Sequence, residues 1–152
     1  MVTPFPLPDP MTRALELARA AARAGEVPIG AVVVRDGHII GEGENRNRRD
    51  NDPTAHAEIV AIRAAATRLG DCRLAGCDLY VTLEPCPMCA GAIAHARIAR
   101  LYFGAEDAKG GGVMHGARVF ARPQCHHRPE IYGGLGEREA AGLLVDFFAG
   151  RR

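Results

Sequence analysis

Asp78-Leu79-Tyr80-Val81-Thr82-Leu83-Glu84-Pro85-Cys86-Pro87-Met88-Cys89 is the stretch from which the fold can be read. Its first half is a run of apolar and β-branched residues, which predicts a buried strand over Asp78 to Leu83. Cys86 then stands in an N-cap-like place, because Pro87 suits the first position of a helix. Cys89 follows three residues on, so both sulfurs leave the same side of one helical turn. That helix is expected to run to about Ala96. A second handover of the same kind precedes it at Thr54-Ala55-His56-Ala57-Glu58. Asp52-Pro53-Thr54 offers capping residues, so a helix should start about there and run to Leu69, with Gly70 as its stop. His56 and Glu58 fall in its first turn.

Taken together the two segments read H-x-E, a gap, then P-C-x-x-C. One imidazole and two thiolates suit zinc, which accepts nitrogen and sulfur in tetrahedral geometry. Three protein ligands, His56, Cys86 and Cys89, leave a fourth position open, as a catalytic zinc requires. Glu58 is better placed to carry protons than to bind metal. A structural zinc and a redox pair are the competing readings of a bare C-x-x-C.

The flanking sequence extends the strand–helix alternation. Met11 to Ala24 carries apolar residues at 11, 14, 15, 18, 21 and 22, a helical stripe. Asp9-Pro10 is its expected cap and first residue, and Gly25 its end. Val27 to Val34 reads as a buried strand interrupted by Gly30, and Asp36-Gly37 as a hairpin turn leading to a second strand over His38 to Gly41. A polar, basic loop from Arg46 to Pro53 follows. Ile98 to Phe103 and Glu130 to Tyr132 read as further strands, residues 104–128 as a Gly- and Pro-rich loop with local helix, and Glu137 to Phe148 as a last amphipathic helix. Strands alternating with helices predict an α/β layer fold with helices on both sheet faces. The hairpin makes the sheet mixed.

Composition sets the outer limits. The 152 residues are enough for one domain with a real core. Lys+Arg 19 against Asp+Glu 18 leaves a formal charge of +1, so no whole-molecule field argues for a polyanion or a membrane. Trp is absent, and the core must come from Ala, Val, Leu and Ile. Five cysteines, an odd number, with no basic and apolar leader before them, predict a cytoplasmic protein with reduced thiols. No apolar run is long enough to span a bilayer. Residues 1–10, with prolines at 4, 6, 8 and 10, read as an extended arm.

Both ligand segments start helices, whose N-termini carry partial positive charge and free N–H groups. That charge favours thiolates and an activated water. Such a nucleophile needs an electron-poor carbon bearing an amine, and Glu58 can carry the proton from water to a ring nitrogen and then to the departing ammonia. Burial would raise its pKa toward the working pH. The predicted reaction is hydrolytic deamination of an amidine-like base.

Longer blocks narrow this further. Val27-Pro28-Ile29-Gly30-Ala31-Val32, Asp52 to Glu58, Leu79 to Ala92, Phe103-Gly104-Ala105 and Asp107-Ala108-Lys109-Gly110 resemble the bacterial tRNA-specific adenosine deaminases. The resemblance covers roughly residues 11–148. The zinc signature alone is shared by the whole cytidine deaminase-like superfamily. The resemblance implies a three-layer α/β/α cytidine deaminase-like fold with a five-stranded mixed sheet, residues 11–152 forming one zinc deaminase domain. It implies a homodimer with one zinc per subunit, no organic cofactor, and the anticodon stem-loop of an arginine tRNA as partner. The wobble adenosine would be converted to inosine by a zinc-activated hydroxide attacking the C6 carbon, with Glu58 as shuttle. His56, Cys86 and Cys89 fall on the family's zinc ligands. Asn45 falls on its base-contacting Asn, Ala57 on a backbone N–H that faces the base, and Asp107 on a contact to a flanking ribose, as a reader of the 2′-OH would make.

Each of these has a plainer reading: Asn45 as a turn former after the second strand, Asp107 as a loop cap. Val27, Ile29 and Leu83 wall the base pocket or are simple core. Arg46, Arg48, Lys109, Arg151 and Arg152 are candidate RNA contacts. Asn47 departs from the family's usual Pro. Cys125-His126-His127 has poor spacing for a second metal site, and Cys72 and Cys77 read as plain thiols. The rival functions are a guanine or cytosine deaminase acting on free bases or nucleosides, and a zinc-stabilised RNA-binding protein without activity.

Overall fold

A computed structural model describes residues 7–151. The first helix, α1 (Asp9–Arg23), starts with Pro8 at the cap and proline in the first turn. Asp9 therefore lies inside the helix, its charge at the positive end, and makes no side-chain cap. The expected arm over 1–10 thus ends earlier than anticipated, and its residues 1–6, like Arg152, lie outside the described residues. Next come β1 (Gly30–Arg35) and β2 (His38–Glu44), joined at Asp36-Gly37, both with positive φ as a tight hairpin demands. The remaining elements are α2 (Ala57–Leu69), β3 (Asp78–Leu83), α3 (Pro87–Ala96), β4 (Arg100–Ala105), a 3-10 turn at Val119–Ala121, β5 (Glu130–Tyr132) and α4 (Glu137–Ala149).

The sheet has five strands in the order β2-β1-β3-β4-β5. β1 runs antiparallel to both neighbours, while β3, β4 and β5 are parallel. Alternation along the strands divides the core. Ala31, Val33, Leu79, Val81, Leu101 and Phe103 join α2 and α3 on one face. Val32, Val34 and Tyr80 point to the face covered by α1 and α4. This is the three-layer α/β/α arrangement with a mixed sheet.

Three boundaries differ from expectation. β1 starts at Gly30, not Val27, because Ile29 N–H closes a tight turn onto Val27 C=O at 2.8 Å and Pro28 has no N–H to give. β2 runs on past Gly41 to Glu44. α2 starts at Ala57 because Asp52 folds a turn instead of a helix, its Oδ1 accepting from Thr54 N–H at 2.9 Å and from Thr54 O–H at 2.7 Å.

Glycines on the strands decide where the helices sit. A Cβ on Gly43 would lie 2.6 Å from the Ala61 nitrogen and closer still to the Ala57 oxygen, so the backbone of α2 rests directly on β2. Gly30 makes the same kind of seam against α1, with Ala18 N only 2.7 Å from where its Cβ would be. Gly30 therefore marks a close approach, not a break in the strand. Gly43→Val is expected to destabilise by about 3 kcal/mol or more, above the usual range for overpacking, because backbone cannot rotate aside. A urea midpoint unchanged from the parent would show that the seam yields.

Candidate active site

The strand ends bring the ligands together. β3 delivers Leu83-Glu84-Pro85 to Cys86, the cap of α3, and the loop after β2 delivers His56, the cap of α2. His56 Nδ1 lies 3.5 Å from Cys86 Sγ and 3.5 Å from Cys89 Sγ. Bonds of about 2.0–2.1 Å to nitrogen and about 2.3 Å to sulfur, at tetrahedral angles, put N and S about 3.5 Å apart. The three atoms thus span the face of a zinc tetrahedron, and all lie within 4.8 Å of one another. Cys86 Sγ accepts from Cys89 N–H at 3.5 Å. The hydrogen bond from the Cys89 thiol, joined by His56, pulls the Cys86 thiol down to about 4. Cys86 in turn pushes the Cys89 thiol up. Cys86 is therefore the thiol that gives up its proton more readily, and zinc binding releases protons from the pair.

Glu58, in the first turn of α2, is buried at 4% exposure. Burial pushes its carboxyl up to about 7, with the Cys86 charge adding to the effect and His56 opposing it. The sign follows from linkage: a carboxyl whose folded pKa lies above its unfolded value favours the fold at low pH, and that contribution is lost as pH rises through about 7. In the metal-free chain, Glu58→Gln is expected to gain stability on the parent, on the order of 3 kcal/mol, between pH 4.5 and 8. Urea unfolding of both apo proteins across that window checks it; parallel curves would mean Glu58 is not desolvated.

Beside this cluster lies a cavity of about 480 Å³, lined among others by Val27, Ile29, Asn45, His56, Leu83 and Asp107. Its volume falls within the range of about 300–1,000 Å³ typical of small-ligand clefts. The three apolar residues at strand ends are thus walls of the cavity. Asn45 is buried, and its Oδ1 accepts from Ala57 N–H at 2.9 Å. This changes two expectations. Ala57 N–H is engaged within the protein and not presented to a base. Asn45, with its oxygen fixed, offers the cavity only the donors of its amide nitrogen. Asp107 is both a cavity residue and a loop cap, its Oδ1 accepting from Lys109 N–H at 3.1 Å and Gly110 N–H at 2.9 Å.

Two buried carboxylates that sequence reasoning passed over hold the walls. Glu84, 2% exposed, accepts from the N–H groups of Asp107, Val113, Met114 and His115 and pairs with His115 Nδ1 at 2.8 Å. Burial alone would raise its pKa; His115 and these N–H groups outweigh it and hold Glu84 below the usual carboxylate value. It fastens the 107–115 loop to the strand end that carries Cys86. Glu26, 3% exposed, accepts from Arg48 N–H at 3.3 Å and from Arg49 N–H at 2.9 Å, and meets Arg49 Nε at 3.3 Å. Here too burial is outweighed, by the Arg49 and Arg48 contacts, and the carboxyl is held low. A charged residue at the end of an apolar run was the available signal in both cases.

The basic residues divide. Lys109 is exposed and lines the cavity, and Arg48 is exposed nearby in sequence to Asn45. Arg46 pairs with Asp50 at 3.0 Å. The Arg151 guanidinium sits 3.7 Å from the Phe147 ring centre. Arg152 lies outside the described residues. Cys125, His126 and His127 do not converge: Cys125 Sγ contacts His127 C=O at 3.1 Å, and His127 Nε2 meets Ile98 C=O at 2.7 Å. Glu84, Glu106 and His115 are close enough for a cation, but both Glu84 oxygens are spent on hydrogen bonds. Cys77 is buried and Cys72 exposed, as plain thiols would be.

Residues 8–105 match the family model of the cytidine and deoxycytidylate deaminase zinc-binding region. A tRNA-specific adenosine deaminase of Agrobacterium fabrum is 57% identical over 142 residues, covering 93% of either chain. A solved structure from work on A-to-I editing by wobble-position tRNA deaminases superposes with a TM-score of 0.89 at 57% identity, over 90% of this chain and 99% of that one. A guanine deaminase from Nitrosomonas europaea superposes at 0.79 with 27% identity, over 92% and 83%. The family model names the metal that the ligand geometry fits, so the site is one for zinc. Identity of this extent along nearly the whole of both chains goes well beyond a shared metal motif, and the chain belongs to the family of tRNA-specific adenosine deaminases within the zinc-binding cytidine and deoxycytidylate deaminases.

Proposed function

We propose that this chain hydrolyses the wobble adenosine of an arginine tRNA to inosine, and that residues 11–152 form the deaminase domain. The observation that carries the reading is Glu58, buried at 4% exposure beside the His56–Cys86–Cys89 triangle, next to a cavity lined by both polar and apolar side chains. Zinc, when bound, supplies polarisation of water, bringing its pKa from 15.7 to about 7. The rest is done by the chain. Glu58 takes one proton from water as the water oxygen bonds to C6 and passes it to the adjacent ring nitrogen; it then takes the remaining proton from the new C6 hydroxyl and gives it to the amino group, so that the C–N bond breaks, ammonia leaves and the C6 carbonyl forms. A pKa near the working pH lets one carboxylate do both. Asn45 donates from its amide nitrogen to a ring acceptor, and Val27, Ile29 and Leu83 sandwich the base and exclude water. Asp107 accepts from a flanking 2′-OH.

An anticodon loop presents an unpaired base that can be splayed into such a cavity. Arg46, Arg48, Lys109, Arg151 and Arg152 would meet the phosphates around it. The family resemblance supports a homodimer acting in the cytoplasm. Exposed Met88 and Met114 supply apolar surface for such a contact, and among the described residues no helix is long and apolar enough to cross a membrane.

The test is incubation of the zinc-loaded protein with an arginine tRNA bearing adenosine at the wobble position, and separately with guanine, cytosine and free adenosine. Inosine in the tRNA alone is the expected result. Turnover of a free base with the tRNA untouched would replace this reading with that of a nucleobase deaminase.

A further inference from the structure

The basic loop after β2 holds one arginine that does not behave like the others. Arg49 turns inward. Its Nε meets Glu26 Oε2 at 3.3 Å, and its Nη2 donates to Glu44 Oε2 at 3.1 Å and to Asn45 C=O at 2.6 Å. Its side chain is 29% exposed, and that of Glu26 only 2%. Glu26 also accepts the backbone N–H groups of Arg48 and Arg49, so the loop is tied at both main chain and side chain. The bond to Asn45 falls on the residue whose amide lines the cavity and whose oxygen takes the Ala57 N–H. From Glu26 the chain of contacts therefore runs through Arg49 to Asn45 and on to the start of α2, one residue before Glu58.

We propose that buried Glu26 and the partly exposed Arg49 that caps it form a clamp of positioning residues that holds Asn45 in register with Glu58 for deamination, and that Arg49 is no phosphate contact. The inference rests on the adenosine-in-tRNA reading above. Arg49 commits Nε and Nη2 to three acceptors of the protein, which leaves only Nη1 for RNA and fixes the plane of the fork against the loop. A clamp of this kind affects the chemical step more than binding, because tRNA affinity comes mainly from phosphates while rate depends on how the base is aligned.

The experiment compares the parent with Arg49→Met, Arg49→Lys and the double variant Glu26→Gln with Arg49→Met, using Arg48→Met as a binding control. Zinc content, single-turnover rate at saturating tRNA, and tRNA affinity as a function of salt are measured for each. In Arg49→Met and in the double variant the rate is expected to fall about 10- to 100-fold, the cost of a small misalignment. Affinity and its salt slope should stay at the parent value, whereas Arg48→Met should lower the slope by about one. Arg49→Lys keeps the charge beside Glu26 but cannot bridge to Glu44 and Asn45 together, so it should fold as the parent does and remain slow. The double variant leaves no charge at the buried Glu26 position, and the Glu44 carboxylate that loses its partner is solvent-accessible, which separates lost alignment from lost folding.

A parent-like rate in the double variant or in Arg49→Lys overturns the clamp. So does a weakened, flatter salt dependence in Arg49→Met, which would make Arg49 a phosphate contact. If none of the three variants folds, the pair is a determinant of the fold and the inference falls. An inactive parent removes the tRNA reading and the clamp with it; an active parent with unaltered variants removes the clamp alone.

Discussion

Glu58→Gln should bind one zinc, fold as the parent does, and form inosine about 10²- to 10⁴-fold more slowly, the usual contribution of a positioned acid–base group. The substitution is isosteric. It leaves His56, Cys86 and Cys89 in place and removes only the ability to accept and return a proton. Burial at 4% exposure makes the loss severe, since no bulk water stands by to take over the transfer. In the metal-free chain the variant should also be the more stable of the two at the high-pH end, because an uncharged amide has no desolvation cost that grows with ionisation. Zinc analysis together with single-turnover kinetics checks the first claim. Parent-like turnover in a zinc-loaded variant would assign the proton to another group.

Removal of a metal ligand should have the larger structural consequence. Cys89→Ala is expected to lose zinc at micromolar metal and to abolish turnover, and dialysis of the parent against a chelator should do the same reversibly. Cys89 is fully buried, with its sulfur 3.5 Å from His56 Nδ1, so no exposed group can replace it. The metal binds the folded site in preference to the unfolded chain, so zinc should raise the unfolding temperature of the parent and not that of Cys89→Ala. An active, zinc-loaded Cys89→Ala would show that the ligand set is different.

The parts of the molecule that follow from local chemistry could be read from the chain. Pro87 after Cys86, Gly70 after Leu69 and Asp36-Gly37 between two apolar runs fix their neighbours through φ alone, and the elements fall accordingly. The metal triad was legible for the same reason, since its spacing is set by one helical turn. Asn45 and Asp107 were each given two readings, and the structure gives both residues a structural and a cavity-lining place at once. What could not be read depends on distant pairs. Glu26 is one acidic residue among many until Arg49, 23 positions away, closes over it. Glu84 likewise waits on His115, 31 positions on. Arg46 and Arg49 look alike in the sequence; one pairs with its helical-spaced neighbour Asp50 and the other turns inward.

The seam between Gly43 and α2 bears on how this protein can be altered. Because peptide groups touch peptide groups there, the gap between the sheet and the helix that His56 caps is a fixed gauge. No exchange among the aliphatic side chains around it can widen or narrow that gauge. Libraries that vary the cavity walls at Val27, Ile29 and Leu83 can therefore reshape what enters while the reacting centre keeps its dimensions. Attempts to stiffen β2 by giving its glycines side chains would shift the metal and the base against each other.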